Sequence, residues 1–170
     1  MAPAGVRSAV DAGVDSIEHG PFLSVDDLAV LAARRGAWVP TVTNIEFLRD
    51  YLGADSSGGR LMAESLANLR RLLPEAERLG MTVLAGTDLA VPHGRIAAEA
   101  IKLHDYGLSA AAALNATSTA AYDYLGFDRR LAPGSPANVV FFADDPRQNI
   151  ATLGEPQLII RAGRAIHPTV

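Results

Sequence analysis

Apolar and polar residues along this chain recur with two alternating periods. "GVRSAVDA", residues 5 to 12, spaces small and apolar groups at helical intervals and closes on Gly13, a suitable C-terminal cap. "VDSIEHG", residues 14 to 20, then reads as a short strand. Ser24 followed three positions later by Asp27 is a capping-box pattern. Leu28, Leu31 and Ala32 give the helix it opens an apolar stripe, and Gly36 ends it. "AWVPTV", residues 37 to 42, predicts an apolar strand whose Pro40 must lie where no ladder hydrogen bond is needed.

The middle of the chain is more polar. "NIEFLRDYLG" predicts a short helix, and "ADSSGG", residues 54 to 59, a flexible turn-rich loop. Leu61, Leu66, Leu69, Leu72 and Leu73 then fall at helical spacing up to Gly80, with a bend or break expected near Pro74. "MTVLAG", residues 81 to 86, reads as a strand followed by Thr87 and Asp88, and an Ala-rich helix is expected over about residues 95 to 106. Ser109 and Thr119 are placed as caps of two further short helices. From Leu131 the texture changes: "ANVVFFADDP" is a strand ending in a turn, and "LIIRAGRAI" is two short strands joined at Ala162 and Gly163. Strands alternating with whole helices predict an α/β fold with a parallel sheet or barrel over residues 1–130, followed by a small β element over residues 131–170.

Composition narrows the function classes. With 170 residues, 49% hydrophobic, 20% charged and a net charge of -4, the chain suits one ordinary globular unit, and no basic cluster marks it for nucleic acid. The absence of Cys leaves His and carboxylates as the available metal ligands. The opening residues lack the apolar core of a secretory signal, and no run approaches the ~18 apolar residues of a membrane span. The expectation is a cytoplasmic chain that engages neither nucleic acid nor membrane.

In parallel α/β folds ligands meet the carboxyl ends of the strands, which singles out His19 and Asp88. Alone, His19 reads first as a hydrogen-bonded histidine at a strand end, and Asp88 as a turn residue capping the next helix. Together, at the ends of different strands, they can converge on one metal ion. Glu18 alternates to the opposite face and suits packing or hydrogen bonding. His104 and His167 read as solvated or structural. No phosphate-binding glycine pattern supports an unrelated α/β binding module built around Asp88.

"AGVDSIEHG", "GAWVPTV", "GMTVLAGTD", "HG…E" and "LAPGSPANVVFFADDP", in this order across nearly the whole chain, resemble the C-terminal half of the amidohydrolase superfamily, especially its imidazolonepropionase-like and dipeptidase-like members. The resemblance implies strands six to eight of a (β/α)8 TIM-type barrel with part of a flanking β-sandwich. It implies a divalent metal, Zn in the first instance, held by His19 and Asp88, with Asp88 as the general base. It also implies a small-molecule substrate with a carbon–nitrogen bond, met by His93; Glu99 resembles the helix start near substrate, or else a first-turn Glu favoured by the helix dipole.

The superfamily pattern also has a His-x-His on its first strand, a carboxylated Lys or a Glu on the fourth and a His on the fifth; this sequence holds no His-x-His. Two ligands fall short of the three that catalytic zinc sites use, so the isolated chain is expected to bind metal weakly and to be inactive by itself. Ala137-Asn138 also stands where the family commonly has Ala-Asp. The alternative reading is a half-barrel without catalytic competence that folds by self-association or by pairing with a missing N-terminal half.

Overall fold

The computed structural model describes residues 3–88 and 90–166; His167 lies outside the described residues. Chain order runs α1 (Pro3–Ala12), β1 (Ser16–Glu18), α2 (Val25–Ala33), β2 (Ala37–Val39), α3 (Val42–Leu52), α4 (Ser57–Arg78), β3 (Thr82–Val83), α5 (Ala97–Asp105), α6 (Ala110–Ala116), α7 (Thr119–Leu125) and β4 (Val139–Phe141). A 3-10 helix (Ile150–Gly154), β5 (Leu158–Arg161) and β6 (Arg164–Ile166) follow. The result is α/β, with a parallel sheet in the order β1-β2-β3 and a small antiparallel sheet in the order β4-β5-β6.

Alternation along the short parallel strands decides what is buried. Register sets Ile17 beside Trp38 and Trp38 beside Val83, and this row is buried against the helices. Trp38 is 0% exposed, and its indole N–H donates to the His19 carbonyl at 2.9 Å, so the largest core side chain also ties down the end of β1. Ser16, Glu18, Val39 and Thr82 alternate to the other, more open face. There the Ser16 hydroxyl donates to Glu18 Oε1 at 3.0 Å, the hydrogen-bonding role expected of Glu18.

Five sequence expectations need correction. The strand expected over residues 81 to 86 is only Thr82–Val83. Pro74 does not break its helix, because Leu69, Leu72, Leu73 and Ala76 on both sides of it are buried in one core, which outweighs the ~3 kcal/mol of a helical proline. Residues 54–59 are only half loop: the Ser56 hydroxyl accepts from the Gly59 N–H at 2.9 Å and starts α4 at Ser57. The strand expected over residues 37 to 42 ends at Val39, since Pro40 has no N–H for a ladder and Thr41 turns left-handed. Thr119 is the first residue of α7, not its cap; Ser118 stands at that position and makes no side-chain cap bond.

The capping box at α2 forms as the sequence predicts. The Asp27 N–H donates to Ser24 Oγ at 3.1 Å, and the Ser24 N–H to Asp27 Oδ2 at 2.9 Å. Burial works against ionisation of Asp27, but the Ser24 bonds and the Arg7 guanidinium 3.0 Å away outweigh it and hold the carboxyl below its ordinary value. A carboxyl held low in the folded chain stabilises the fold above the unfolded value and ceases to do so as pH falls through the folded one. Ser24→Ala is therefore expected to cost about 1 kcal/mol in urea unfolding at neutral pH. That penalty should shrink as the pH drops below 3.8; a penalty that grows toward acid would refute this account of the cap.

Candidate functional site

Three successive strands end in the same unusual way. His19 after β1, Thr41 after β2 and Asp88 after β3 all adopt left-handed backbone, with φ of 63°, 50° and 43°. For residues other than glycine such conformations cost about 1–3 kcal/mol each and persist only where the surroundings impose them. Here the surroundings are visible. The His19 N–H donates to the Val39 carbonyl at 2.8 Å, and its carbonyl is held by Trp38. Gly20, also left-handed, lies so close to Ile17, Leu23 and the Trp38 indole that a Cβ there would approach them to 2.7, 2.9 and 3.2 Å. Gly86 lets the end of β3 pass Val39, whose Cγ1 would lie 2.6 Å from an added Cβ.

These turns bring together the two residues singled out in the sequence. His19 Nε2 lies 3.6 Å from Asp88 Oδ2, and both side chains are partly open to solvent. Two residues from the β2–α3 corner, which the sequence did not reveal, complete the cluster. Thr41 Oγ1 is 2.7 Å from His19 Nδ1, and Asn44 Nδ2 donates to Asp88 Oδ2 at 2.8 Å. The imidazole is thus oriented through one nitrogen and leaves the other facing the carboxylate. His93 lies exposed in the loop before α5, and no hydrogen bond among the described residues joins it to His19 or Asp88.

Glu99 belongs to a different part of the design from the substrate contact entertained for it. It is 0% exposed, and its carboxylate accepts from the Val42 N–H at 2.8 Å, the Thr43 N–H at 2.9 Å and the Thr43 hydroxyl at 2.7 Å. Burial pushes its proton affinity up, the three donors pull it back, and the net direction is upward.

Nitrogen and oxygen donors at ~2.0–2.2 Å from a tetrahedral zinc stand roughly 3.3–3.6 Å apart, so the His19–Asp88 pair fits two corners of one ion. Among the described residues no group of three or more His, Cys, Asp or Glu side chains could hold a metal. A hollow of about 670 Å³ lined by Arg35, Gly80, Met81 and Tyr124 lies at the amino ends of β2 and β3, away from this cluster. The His19–Asp88 cluster lies instead at the carboxyl edge of the sheet.

Comparison with solved structures places this geometry. A Xaa-Pro dipeptidase with methionine bound in its active site superposes with a TM-score of 0.80 at 22% identity, over 98% of this chain and 43% of that one. An amidohydrolase gives 0.80 at 23% identity, over 99% and 43%. A protein assigned as a prolidase from Bifidobacterium longum gives 0.76 at 27%, over 99% and 46%. The chain shares the fold of part of each of these structures. In sequence, it is 34% identical over 172 aligned residues to uncharacterised proteins of Mycobacterium bovis and Mycobacterium tuberculosis, covering 94% of its own length and 44% of theirs. It thus spans less than half the length of the curated relatives it matches. No family model matches it.

The packing around Gly20 makes a direct prediction. Gly20→Ala forces a Cβ into Ile17, Leu23 and Trp38 on left-handed backbone and is expected to cost about 2–4 kcal/mol in urea unfolding. Gly5→Ala, in helix α1 with open space around the added methyl, should be neutral or stabilising by up to ~1 kcal/mol. Equal effects at the two glycines would show that the β1 end is not held as described.

Proposed function

We propose that this chain is part of a metal-dependent amidohydrolase that hydrolyses a carbon–nitrogen bond in a small dipeptide-like or cyclic amide substrate. The observation that supports it most is the approach of His19 Nε2 to Asp88 Oδ2 within 3.6 Å, at the carboxyl edge of a parallel sheet. The fold shared with a Xaa-Pro dipeptidase adds to it. In this reading β1 to β3 are strands six to eight of a (β/α)8 barrel, with the face of Ser16, Glu18, Val39 and Thr82 turned inward. The sheet β4 to β6 belongs to the flanking β-sandwich.

His19 through Nε2 and Asp88 through its carboxylate would hold the divalent metal, with zinc as the first choice for a nitrogen and oxygen donor pair. Bound there, such an ion would polarise the scissile carbonyl and lower the pKa of water toward ~7. Asp88 accepts the proton of the attacking water and passes it to the leaving nitrogen, so that amide and water become carboxylic acid and amine. Asn44 keeps the carboxylate aimed, Thr41 keeps the imidazole aimed, and His93 meets the substrate from its loop.

The donor set supports a second statement about the chain taken alone. Two ligands among the described residues do not make the three-ligand shell of a catalytic zinc, and in this reading further ligands come from another segment. The test mixes the chain with a separately produced segment carrying a His-x-His, adds Zn²⁺ or Mn²⁺, and follows hydrolysis of Xaa-Pro dipeptides and cyclic amides. Activity is expected in the mixture alone, abolished by chelator and reduced about 10²–10⁴-fold by Asp88→Asn. A mixture that forms by size-exclusion chromatography, binds metal and hydrolyses none of these substrates would sink the hydrolase reading.

A further inference from the structure

The start of α3 is capped in an unusual way. Threonine is a good N-cap residue because its hydroxyl can accept from the N–H groups of the first turn. Thr41 occupies that position and makes no such bond: its backbone is left-handed, and its hydroxyl faces His19 Nδ1 at 2.7 Å instead. The N–H groups it leaves are those of Val42 and Thr43, and both donate to Glu99, which reaches them from α5 more than fifty residues later in the chain. Asn44, the next residue of the same turn, holds Asp88. One turn of backbone therefore bears every side-chain contact made to His19 Nδ1 and Asp88 Oδ2 by the β2–α3 corner, and a single buried carboxylate fixes that turn.

We propose that Glu99 is a positioning residue for the His19–Asp88 site: by capping α3 from outside, it frees the Thr41 hydroxyl to orient the histidine and sets Asn44 to orient the aspartate. Without Glu99, the first-turn N–H groups are buried donors lacking an acceptor, and the nearest replacement is the Thr41 hydroxyl. Turning to them, Thr41 releases His19. The argument rests on the proposed function only for the purpose of the site, since the positioning itself is a property of the folded chain.

The chain has a built-in control. His104 lies on α5 with Glu99, and its Nδ1 is 2.8 Å from the Leu108 carbonyl. Long-range ¹⁵N correlation spectra of the histidine side chains, recorded above the ordinary imidazole pKa of ~6.5, report tautomer and hydrogen bonding for each ring separately. His19 is assigned with a His19→Gln variant. In the unsubstituted chain the two ring nitrogens of His19 are expected to be well separated in shift, as for a single held tautomer.

Glu99→Gln places an N–H₂ group against donors, and Thr43→Val removes one of the three bonds while keeping the side-chain shape. In both variants the His19 nitrogen shifts should move toward each other while those of His104 stay in place, with the larger change in Glu99→Gln. If Glu99→Gln does not fold, Thr43→Val alone decides. His19 shifts that stay unchanged, or that move only in step with His104, would overturn the proposal by showing that Glu99 supports the fold and nothing more specific. Neither result depends on catalysis, so failure here is distinct from failure of the hydrolase reading, which the complementation assay addresses.

Discussion

Two backbone N–H groups and a threonine hydroxyl at the start of α3 all converge on the carboxylate of Glu99, and the geometry of the carboxyl edge depends on that convergence. A helix start leaves N–H groups without partners inside the helix, and inside a protein each one left bare costs about 1–3 kcal/mol. Here the local sequence does not supply the acceptor, because the Thr41 hydroxyl faces His19 instead. A residue on α5 supplies it instead. This long-range contact joins the corner after β2 to the helix after β3, and so joins the two strands whose ends hold Thr41 and Asp88.

The same corner shows how strain is sustained. Left-handed His19, Thr41 and Asp88 are each unfavourable by themselves; His19 is held by Val39 and Trp38, and the Asp88 side chain by Asn44. Trp38 fills the core beneath the sheet and holds the His19 carbonyl, so packing below the sheet and backbone direction above it are one constraint. Gly20 and Gly86 remove side chains where backbone must pass close to Trp38 and Val39.

The chain covers less than half of the curated relatives it matches. His19 and Asp88 stand at a spacing suited to one ion, and among the described residues no third ligand joins them. The curated relatives run to more than twice the aligned length. The short parallel sheet is open on one face, and parallel strands bury both faces only in a larger assembly of strands and helices.

Local chemistry determined much of this protein from sequence alone. The order of strands and helices, the Ser24–Asp27 capping box, the turn at Ala162 and Gly163, and the placement of His19 and Asp88 at strand ends all follow from short-range spacing. They were legible for that reason. Pro74 within an unbroken helix, Ser57 to Gly59 as helix and the early end of β2 were not, because core burial and a cap outweighed local propensity. Thr41, Asn44 and Glu99 were out of reach for a stronger reason. Thr41 reads as part of a strand and Glu99 as a substrate-side or first-turn acid, and only folding, which brings α5 to the start of α3, gives them the roles they have.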